Sequence, residues 1–265
     1  MFAPMDWLLL RGLSREQRHW GAFPEVFRAA APGARIHLLD LPGTGTEAGR
    51  ASPTSIRAIT DDVRVRFQAL RRRESLPGPF GLFGISLGGM VAMRWGADHP
   101  DDFARVVLAN TSASDVGRLW DRLSPSALAT MLRVAAMRDP VARERLVLAM
   151  VSRRRDDHPA LAERWAEIQR SSPVTLANVA RQLAAATLFR APPRLSLPVL
   201  VLAGARDTLA NPACARALAA RFGAPLEIHP DAGHELAIDA PEWVAERVAA
   251  WAGGVPVAAA SIHGR

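Results

Sequence analysis

A strand, a tight turn and a helix are predicted in succession around the run from Phe83 to Met90, which reads Phe-Gly-Ile-Ser-Leu-Gly-Gly-Met. The apolar stretch 80–83 predicts a short buried strand, and residues 91–97 have the composition of a helix. A G-x-S-x-G sequence between a strand and a helix is typical of a sharp turn that exposes its serine at the edge of a sheet. The glycines near Ser86 permit the close backbone approach of such a turn. Ser86 is therefore the candidate nucleophile.

Short apolar runs alternate with longer helical patterns along most of the chain. This alternation is typical of an α/β fold with a mostly parallel sheet. The predicted strands are residues 7–10, 34–39, 80–83, 104–110, 197–202 and 225–229. The predicted helices include residues 23–30, 56–73, 87–98 and 241–251. In the long helix the predicted apolar positions are Ile59, Val63, Val65, Phe67 and Leu70.

The segment 114–190 differs from the rest because it contains no predicted strand and is rich in Leu, Ala, Met and Arg at helical spacing. It predicts a helical cap, residues 114–190, inserted into a core formed by residues 1–113 and 191–252. The Ala- and Gly-rich end, residues 253–265, is expected to be a flexible tail. Six cap residues are candidates to line an acyl pocket or to form the core between cap helices: Trp120, Leu128, Met131, Leu132, Met137 and Leu146.

Composition limits the possible partners and compartments. The 265 residues are 49% hydrophobic, which is enough for one sizeable core. The formal charge is +7, but the arginines are spread along the chain without a nucleic-acid-binding signature, so we expect no nucleic-acid partner. No apolar run approaches the roughly 20 residues of a membrane helix, and the start lacks the pattern of a secretory signal. Cys214 is the only cysteine, so no intrachain disulfide is possible. Together these features predict a cytoplasmic protein without membrane insertion.

A serine hydroxyl needs a base within hydrogen-bond reach, and the base needs a carboxylate that orients it. In proteins with this turn, the acid and the histidine follow the serine in that order. Asp207 fits the acid because it lies just after the predicted strand 197–202, at the edge where open α/β sheets bind ligands. The alternative is a structural aspartate at a turn or helix start.

His234 fits the base because it lies in the loop after the last predicted strand. His229 is the competitor, but it sits at the end of that strand rather than in the loop beyond it. Four other histidines precede Asp207 and break the expected order: His19, His37, His99 and His158. A predicted oxyanion hole completes the site. Its donors are the backbone N–H groups of Leu87, at the helix start, and Leu13, after the first strand.

These motifs together resemble the α/β-hydrolase superfamily, in particular its small-molecule esterase and lactonase members with a helical cap. The resemblance rests on six segments: Leu8-Leu9-Leu10-Arg11-Gly12, Asp40-Leu41-Pro42-Gly43-Thr44-Gly45, Gly84-Ile85-Ser86-Leu87-Gly88-Gly89, His99-Pro100, Gly204-Ala205-Arg206-Asp207 and Ala232-Gly233-His234. It covers most of the chain and implies a serine hydrolase that needs no cofactor and no metal.

Two departures from the family pattern stand out. Arg11-Gly12 occupies the position where the family usually has His-Gly. Arg11 either braces the loop or favours a substrate with a negative charge. The chain also begins almost directly at the strand that is usually the family's third, so a shortened sheet of about six strands is expected.

The resemblance implies hydrolysis of a small-molecule carboxylic ester through an acyl-enzyme on Ser86. Alternatives on the same triad are lactone hydrolysis, acyl transfer and carbon–carbon bond hydrolysis. A non-catalytic ligand receptor on this scaffold is a further alternative. Haloalkane dehalogenase and epoxide hydrolase chemistry is excluded because those enzymes use an aspartate where this chain has Ser86. The oligomeric state stays open.

Overall fold

A computed structural model describes residues 5–254 of the chain. Within them, six strands form one sheet in which every neighbouring pair is parallel, in the order β2-β1-β3-β4-β5-β6. The strands are β1 (Asp6–Leu10), β2 (Ile36–Leu39), β3 (Phe80–Ile85), β4 (Arg105–Ala109), β5 (Val199–Gly204) and β6 (Leu226–His229). The prediction of about six, mostly parallel strands is confirmed.

Helices connect the strands and cover both faces of the sheet. They are α1 (Phe23–Ala30), α2 (Ile56–Arg73), α3 (Leu87–Asp98), α4 (Leu119–Arg122), α5 (Pro125–Ala136), α6 (Pro140–Val151), α7 (His158–Ser171), α8 (Leu176–Leu188), α9 (Pro212–Phe222), α10 (Leu236–Asp239) and α11 (Pro241–Ala252). Five of them, α4 to α8, follow one another between β4 and β5 without an intervening strand in the described chain. The predicted tail falls mainly on residues 255–265, which lie outside the described residues.

The strands carry apolar residues at nearly every position because the sheet is buried on both faces. Successive side chains point to opposite faces. Leu8 and Leu82 therefore belong to the core cluster that contains residues of α2, α3 and α9. Leu9 and Phe83 belong to the cluster that contains residues of α1 and α11. The sheet is thus the middle layer of three. A ligand can therefore reach it at the ends of the strands.

Helix α2 shows how the side-chain period selects the buried face. Ser55 directly precedes α2 and caps it, because the Ser55 side chain accepts a hydrogen bond from the Ala58 N–H. Ile59, Val63 and Phe67 are fully buried, as the spacing of four residues requires. Val65, predicted as one of the apolar positions of this helix, does not lie on its buried face, because its side chain is 67% exposed. Val65 lies two residues from Val63, which places it on the opposite side of the helix.

Candidate active site

Ser86 occupies the turn between β3 and α3 in a backbone conformation that is rare for a residue with a side chain. Its φ is 55° and its ψ is −119°. Such a conformation costs of order 1–3 kcal/mol and persists only where the surrounding structure imposes it. The Ser86 N–H donates to the Ala109 carbonyl of β4 at 2.9 Å, and its carbonyl accepts from the Thr111 hydroxyl at 2.7 Å. The turn is therefore fixed from both sides.

The glycines around Ser86 are required by close backbone contacts. A Cβ at Gly84 would lie 2.3 Å from the Gly88 carbonyl oxygen, and a Cβ at Gly88 would lie 2.4 Å from the Leu10 carbonyl oxygen. Both distances are shorter than any normal carbon–oxygen contact. Helix α3 can approach β1 and β3 this closely only because neither residue has a side chain.

The structure brings Ser86, Asp207 and His234 together at the carboxyl edge of the sheet. His234 Nε2 lies 3.0 Å from Ser86 Oγ, and His234 Nδ1 lies 2.8 Å from Asp207 Oδ2. Both distances are hydrogen-bond distances. The three residues follow β3, β5 and β6, respectively. Strands that are parallel end at the same edge, so residues far apart in sequence meet there.

Asp207 is held rigidly as well as paired. Its Oδ1 accepts hydrogen bonds from the N–H groups of Leu209 at 2.8 Å and Ala210 at 2.9 Å. The other oxygen, Oδ2, is the one that faces the imidazole. The carboxylate therefore has a single orientation, with one oxygen bound to the backbone and one available to His234.

His234 is a buried base whose charged form is favoured by its surroundings. Burial alone lowers the pKa of His234, but the charge of Asp207 and the hydrogen bond to it outweigh burial. The net result is a pKa above the ordinary value of 6.5. Glu235 adds to the increase, and Arg11 opposes it.

Asn110, which sequence reasoning did not select, holds the histidine loop in place. Its Nδ2 donates to the carbonyls of Gly233 at 2.9 Å and His234 at 2.8 Å. Its Oδ1 accepts from the Gly204 N–H at 2.9 Å, and its φ is 43°. Asn tolerates this left-handed conformation better than most residues. An asparagine directly after a buried strand was the available signal, but its partners are far away in sequence.

The predicted oxyanion donors lie at the mouth of a cavity beside Ser86. Gly12, Leu13 and Leu87 all line this cavity. A Cβ at Gly12 would lie 3.0 Å from the Cβ of Ser86, so this loop passes directly over the serine. Among residues 5–254, no group accepts a hydrogen bond from the N–H of Leu13 or of Leu87. Both donors are thus free to bind an oxygen of a substrate.

Arg11 lies outside the cavity beside Ser86, which favours one of the two interpretations of this residue. Its side chain is 2% exposed and does not line the cavity. Its Nη2 donates to both carboxylate oxygens of Glu235, at 2.8 and 2.7 Å, and its guanidinium lies over the ring of Trp20. A charge that is buried and paired cannot attract an anionic substrate. The structure therefore supports the interpretation that Arg11 braces the loop.

The cavity has a volume of about 230 Å³ and is lined mainly by apolar side chains. Of the six residues of segment 114–190 that the sequence offers as pocket or core residues, only Met131 lines this cavity. Trp120, Leu128 and Leu132 are 59%, 44% and 66% exposed, so they are neither pocket nor core residues. The apolar lining also includes residues that the sequence did not single out: Met90, Val134, Val147, Met150, Val179 and Leu183. An acyl chain fits this environment.

The described residues also include a buried thiol, Cys214. Burial raises the pKa of the Cys214 thiol to about 11, so it is a poor nucleophile at neutral pH. Residues 5–254 contain no cluster of three or more His, Cys, Asp or Glu side chains that could hold a metal ion. No helix in the same range combines the length and the apolar character needed to cross a bilayer.

Comparison with known proteins agrees with this architecture. A family model described as serine aminopeptidase, S33, matches residues 12–241. The chain is 31% identical over 253 residues to a pimeloyl-[acyl-carrier protein] methyl ester esterase of Aromatoleum aromaticum, covering 89% of this chain and 94% of the relative.

Two solved structures share the fold. One is the enol-lactonase from Burkholderia xenovorans LB400, with a TM-score of 0.73, 21% identity and coverage of 95% of this chain and 92% of that chain. The other is a thermophilic esterase from Thermogutta terrifontis, with a TM-score of 0.69, 23% identity and coverage of 95% and 90%. Because the family model spans most of the sequence and the Aromatoleum relative aligns along nearly its whole length, this chain belongs to the α/β-hydrolase superfamily.

Proposed function

We propose that the protein hydrolyses a carboxylic ester through a covalent acyl-enzyme on Ser86, with His234 as general base and Asp207 as the group that orients it. The observation that carries the proposal is the continuous hydrogen-bonded chain from Ser86 Oγ through His234 to Asp207, at the wall of an apolar cavity. Serine, histidine and aspartate in this arrangement activate a hydroxyl that is otherwise a weak nucleophile.

In the proposed first half-reaction, Ser86 Oγ attacks the ester carbonyl carbon while His234 Nε2 accepts the hydroxyl proton. The carbonyl oxygen becomes an oxyanion, which the N–H groups of Leu13 and Leu87 bind. Preorganised donors of this kind contribute about 10²–10³ each to the rate. The C–O bond to the alcohol then breaks, and His234 gives its proton to the leaving alkoxide.

The second half-reaction mirrors the first, with water in place of the alcohol. His234 accepts a proton from water, whose oxygen attacks the acyl carbon. The oxyanion forms again between Leu13 and Leu87. The C–O bond to Ser86 breaks, the serine recovers its proton, and the carboxylic acid leaves. These steps need no metal and no organic cofactor.

We propose that residues 114–190 form a cap that selects the acyl group, above a core of residues 1–113 and 191–252. Helices α6 and α7 support this division, because they share an apolar cluster of their own that includes Leu148, Val151 and Trp165. Residues of α5, α6 and α8 line the cavity.

The proposed preferred substrate is a methyl ester of a medium-length acyl chain, the kind of substrate named for the Aromatoleum relative. Each buried methylene is worth about 0.8 kcal/mol, or roughly a fourfold increase in binding. We therefore expect kcat/KM to rise several-fold per carbon across methyl acetate to methyl octanoate, until the chain fills the cavity.

A chain-length series with purified protein tests this, using product acid as the readout. Equal kcat/KM values across the series would contradict the proposal that the apolar cavity binds the acyl chain. Lactones and added alcohol acceptors belong in the same series. Higher kcat/KM on lactones, or ester products formed with alcohols, would favour lactonase or acyltransferase activity instead.

The pH dependence of kcat/KM follows from the state that His234 needs. The imidazole accepts the serine proton only when neutral, so activity is lost as the pH falls through its pKa. Because Asp207 raises the pKa of His234 above 6.5, the midpoint of the acid limb should lie above that value. This midpoint is measured from kcat/KM for an uncharged methyl ester between about pH 5 and 9. A midpoint well below 6.5 would show that a different group acts as the base.

A further inference from the structure

A buried ion pair connects the two loops that carry the proposed catalytic groups. Arg11 immediately precedes Gly12 and Leu13, and Glu235 immediately follows His234. Arg11 Nη2 lies 2.8 and 2.7 Å from the two carboxylate oxygens of Glu235, although 224 positions separate the residues. Their side chains are only 2% and 7% exposed. One ion pair therefore links the loop over the oxyanion site to the loop of the base.

Further contacts hold both members of the Arg11–Glu235 ion pair in place. The Arg11 guanidinium lies 4.6 Å from the centre of the Trp20 ring, and the Glu235 N–H donates to the Val151 carbonyl at 2.9 Å. Burial by itself raises the pKa of the Glu235 carboxyl, but the charges of Arg11 and His234 hold it below its ordinary value. Glu235 is thus ionised at neutral pH, and a guanidinium stays protonated in proteins. Separating them would leave a buried charge without a partner, which is strongly unfavourable.

We propose that Arg11 and Glu235 are positioning residues, whose buried ion pair holds the Gly12–Leu13 oxyanion loop at a fixed distance from His234. This inference rests on the proposed function. A substrate carbonyl must lie within reach of Ser86, of His234 and of the Leu13 N–H at the same time. Because misplacement by 1 Å can cost about 10²-fold in rate, a link between these loops acts on kcat rather than on substrate affinity.

The pair also has an electrostatic signature. The charged groups that act on His234 are Asp207 from the loop after β5, Glu235 from its own loop, and Arg11 from the loop after β1. Glu235 raises the pKa of the imidazole and Arg11 lowers it. Glu235→Gln should therefore move the acid limb of kcat/KM to lower pH, and Arg11→Met should move it to higher pH. Removing both charges should return the limb close to its original position.

The deciding experiment is the double variant Arg11→Met/Glu235→Gln, assayed for kcat, KM and pH dependence with a methyl ester. Neither buried position then carries a charge, so the double variant avoids the unpaired buried charge that makes a single removal strongly destabilising. We expect a Tm within about 5 °C of wild type, kcat lower by about 10–100-fold and KM within about threefold. Wild-type kcat in a folded double variant would overturn the proposal.

A conservative variant distinguishes the ion pair from simple packing. Both hydrogen bonds come from the single atom Nη2 of Arg11, so the single ammonium of Arg11→Lys can replace them. Arg11→Lys should recover most of the kcat that Arg11→Met loses. Equal losses in the two variants would contradict a role of the charge pair.

A remote ion pair provides the matched control. Arg64 Nε lies 2.6 Å from Asp102 Oδ2, in a pair that joins α2 to the turn after α3. Arg64→Met/Asp102→Asn should leave kcat within about twofold, because neither residue contacts the site. If this control lost as much kcat as the Arg11/Glu235 double variant, the effect would be general and the proposal would fail.

The failure of the positioning role can be separated from the failure of the proposed function. Labelling of Ser86 by a fluorophosphonate probe and ester turnover by the wild-type protein test the proposed function directly. If the wild-type protein is not labelled by the probe and does not turn over the ester, both proposals fail. If the wild-type protein is labelled and turns over the ester, and the double variant is equally active, only the proposed positioning role fails.

Discussion

Ser86→Ala is expected to lower kcat on a methyl ester by about 10⁵–10⁶-fold, because no other hydroxyl replaces the one that His234 Nε2 contacts at 3.0 Å. The remaining site, with its free Leu13 and Leu87 N–H groups, can still bind the ester and polarise its carbonyl. It cannot form an acyl-enzyme. Hydrolysis under single-turnover conditions, with enzyme in excess, measures the loss.

The controls for Ser86→Ala address folding and binding. The turn is held by the Ser86 backbone through Ala109 and Thr111, so these hydrogen bonds survive the substitution. The variant should keep its Tm within a few degrees and bind the product acid with unchanged affinity. Retention of more than about one per cent of wild-type kcat would show that Ser86 is not the nucleophile.

Asp207→Asn is expected to lower kcat by about 10³–10⁴-fold, as removal of the orienting charge does in other serine hydrolases. An asparagine can keep its oxygen on the N–H groups of Leu209 and Ala210, because Asp207 Oδ1 already accepts both bonds. Its NH₂ group would then face His234 Nδ1. That nitrogen must become the acceptor, which puts the imidazole proton on Nε2. His234 can then no longer accept the proton of Ser86.

The same substitution has a second, independent signature. Asp207 is the main group that raises the pKa of His234 against the effect of burial. Without its charge, the acid limb of kcat/KM should move to lower pH in the residual activity. Asp231→Asn is the matched control, since Asp231 lies in the histidine loop and pairs on the surface with Arg206 at 2.7 Å. An equal loss in both variants would contradict the specific role of Asp207.

The parts of the fold that depend on local pattern were predictable from the sequence. Helix α2 begins at Ile56 and ends at Arg73 as predicted, because a serine precedes it and its apolar residues recur every three or four positions. The six strands follow from short apolar runs that a sheet covered on both faces requires. The exposed side chain of Val65 shows the limit of counting apolar residues without their position around the helix.

The residues of the candidate site that follow strand ends in a fixed chain order were predictable from the sequence. Ser86, Asp207 and His234 each follow a strand of one parallel sheet, so their approach needs no information beyond the order of the strands. The structure places their side chains within hydrogen-bond distance. Their catalytic roles stay predictions until the variants are measured.

Contacts between distant loops, and those of helices α4 to α8 with the cavity, were decided only by the tertiary structure. The sequence showed that Arg11 is unusual, but it could not show that Glu235, 224 positions away, neutralises it. Nor could it select Asn110 as the anchor of the histidine loop or identify the apolar residues that face the cavity. The physical reason is that periodicity and turn chemistry act over a few residues. Which side chains meet across the packed layers depends on how whole elements dock.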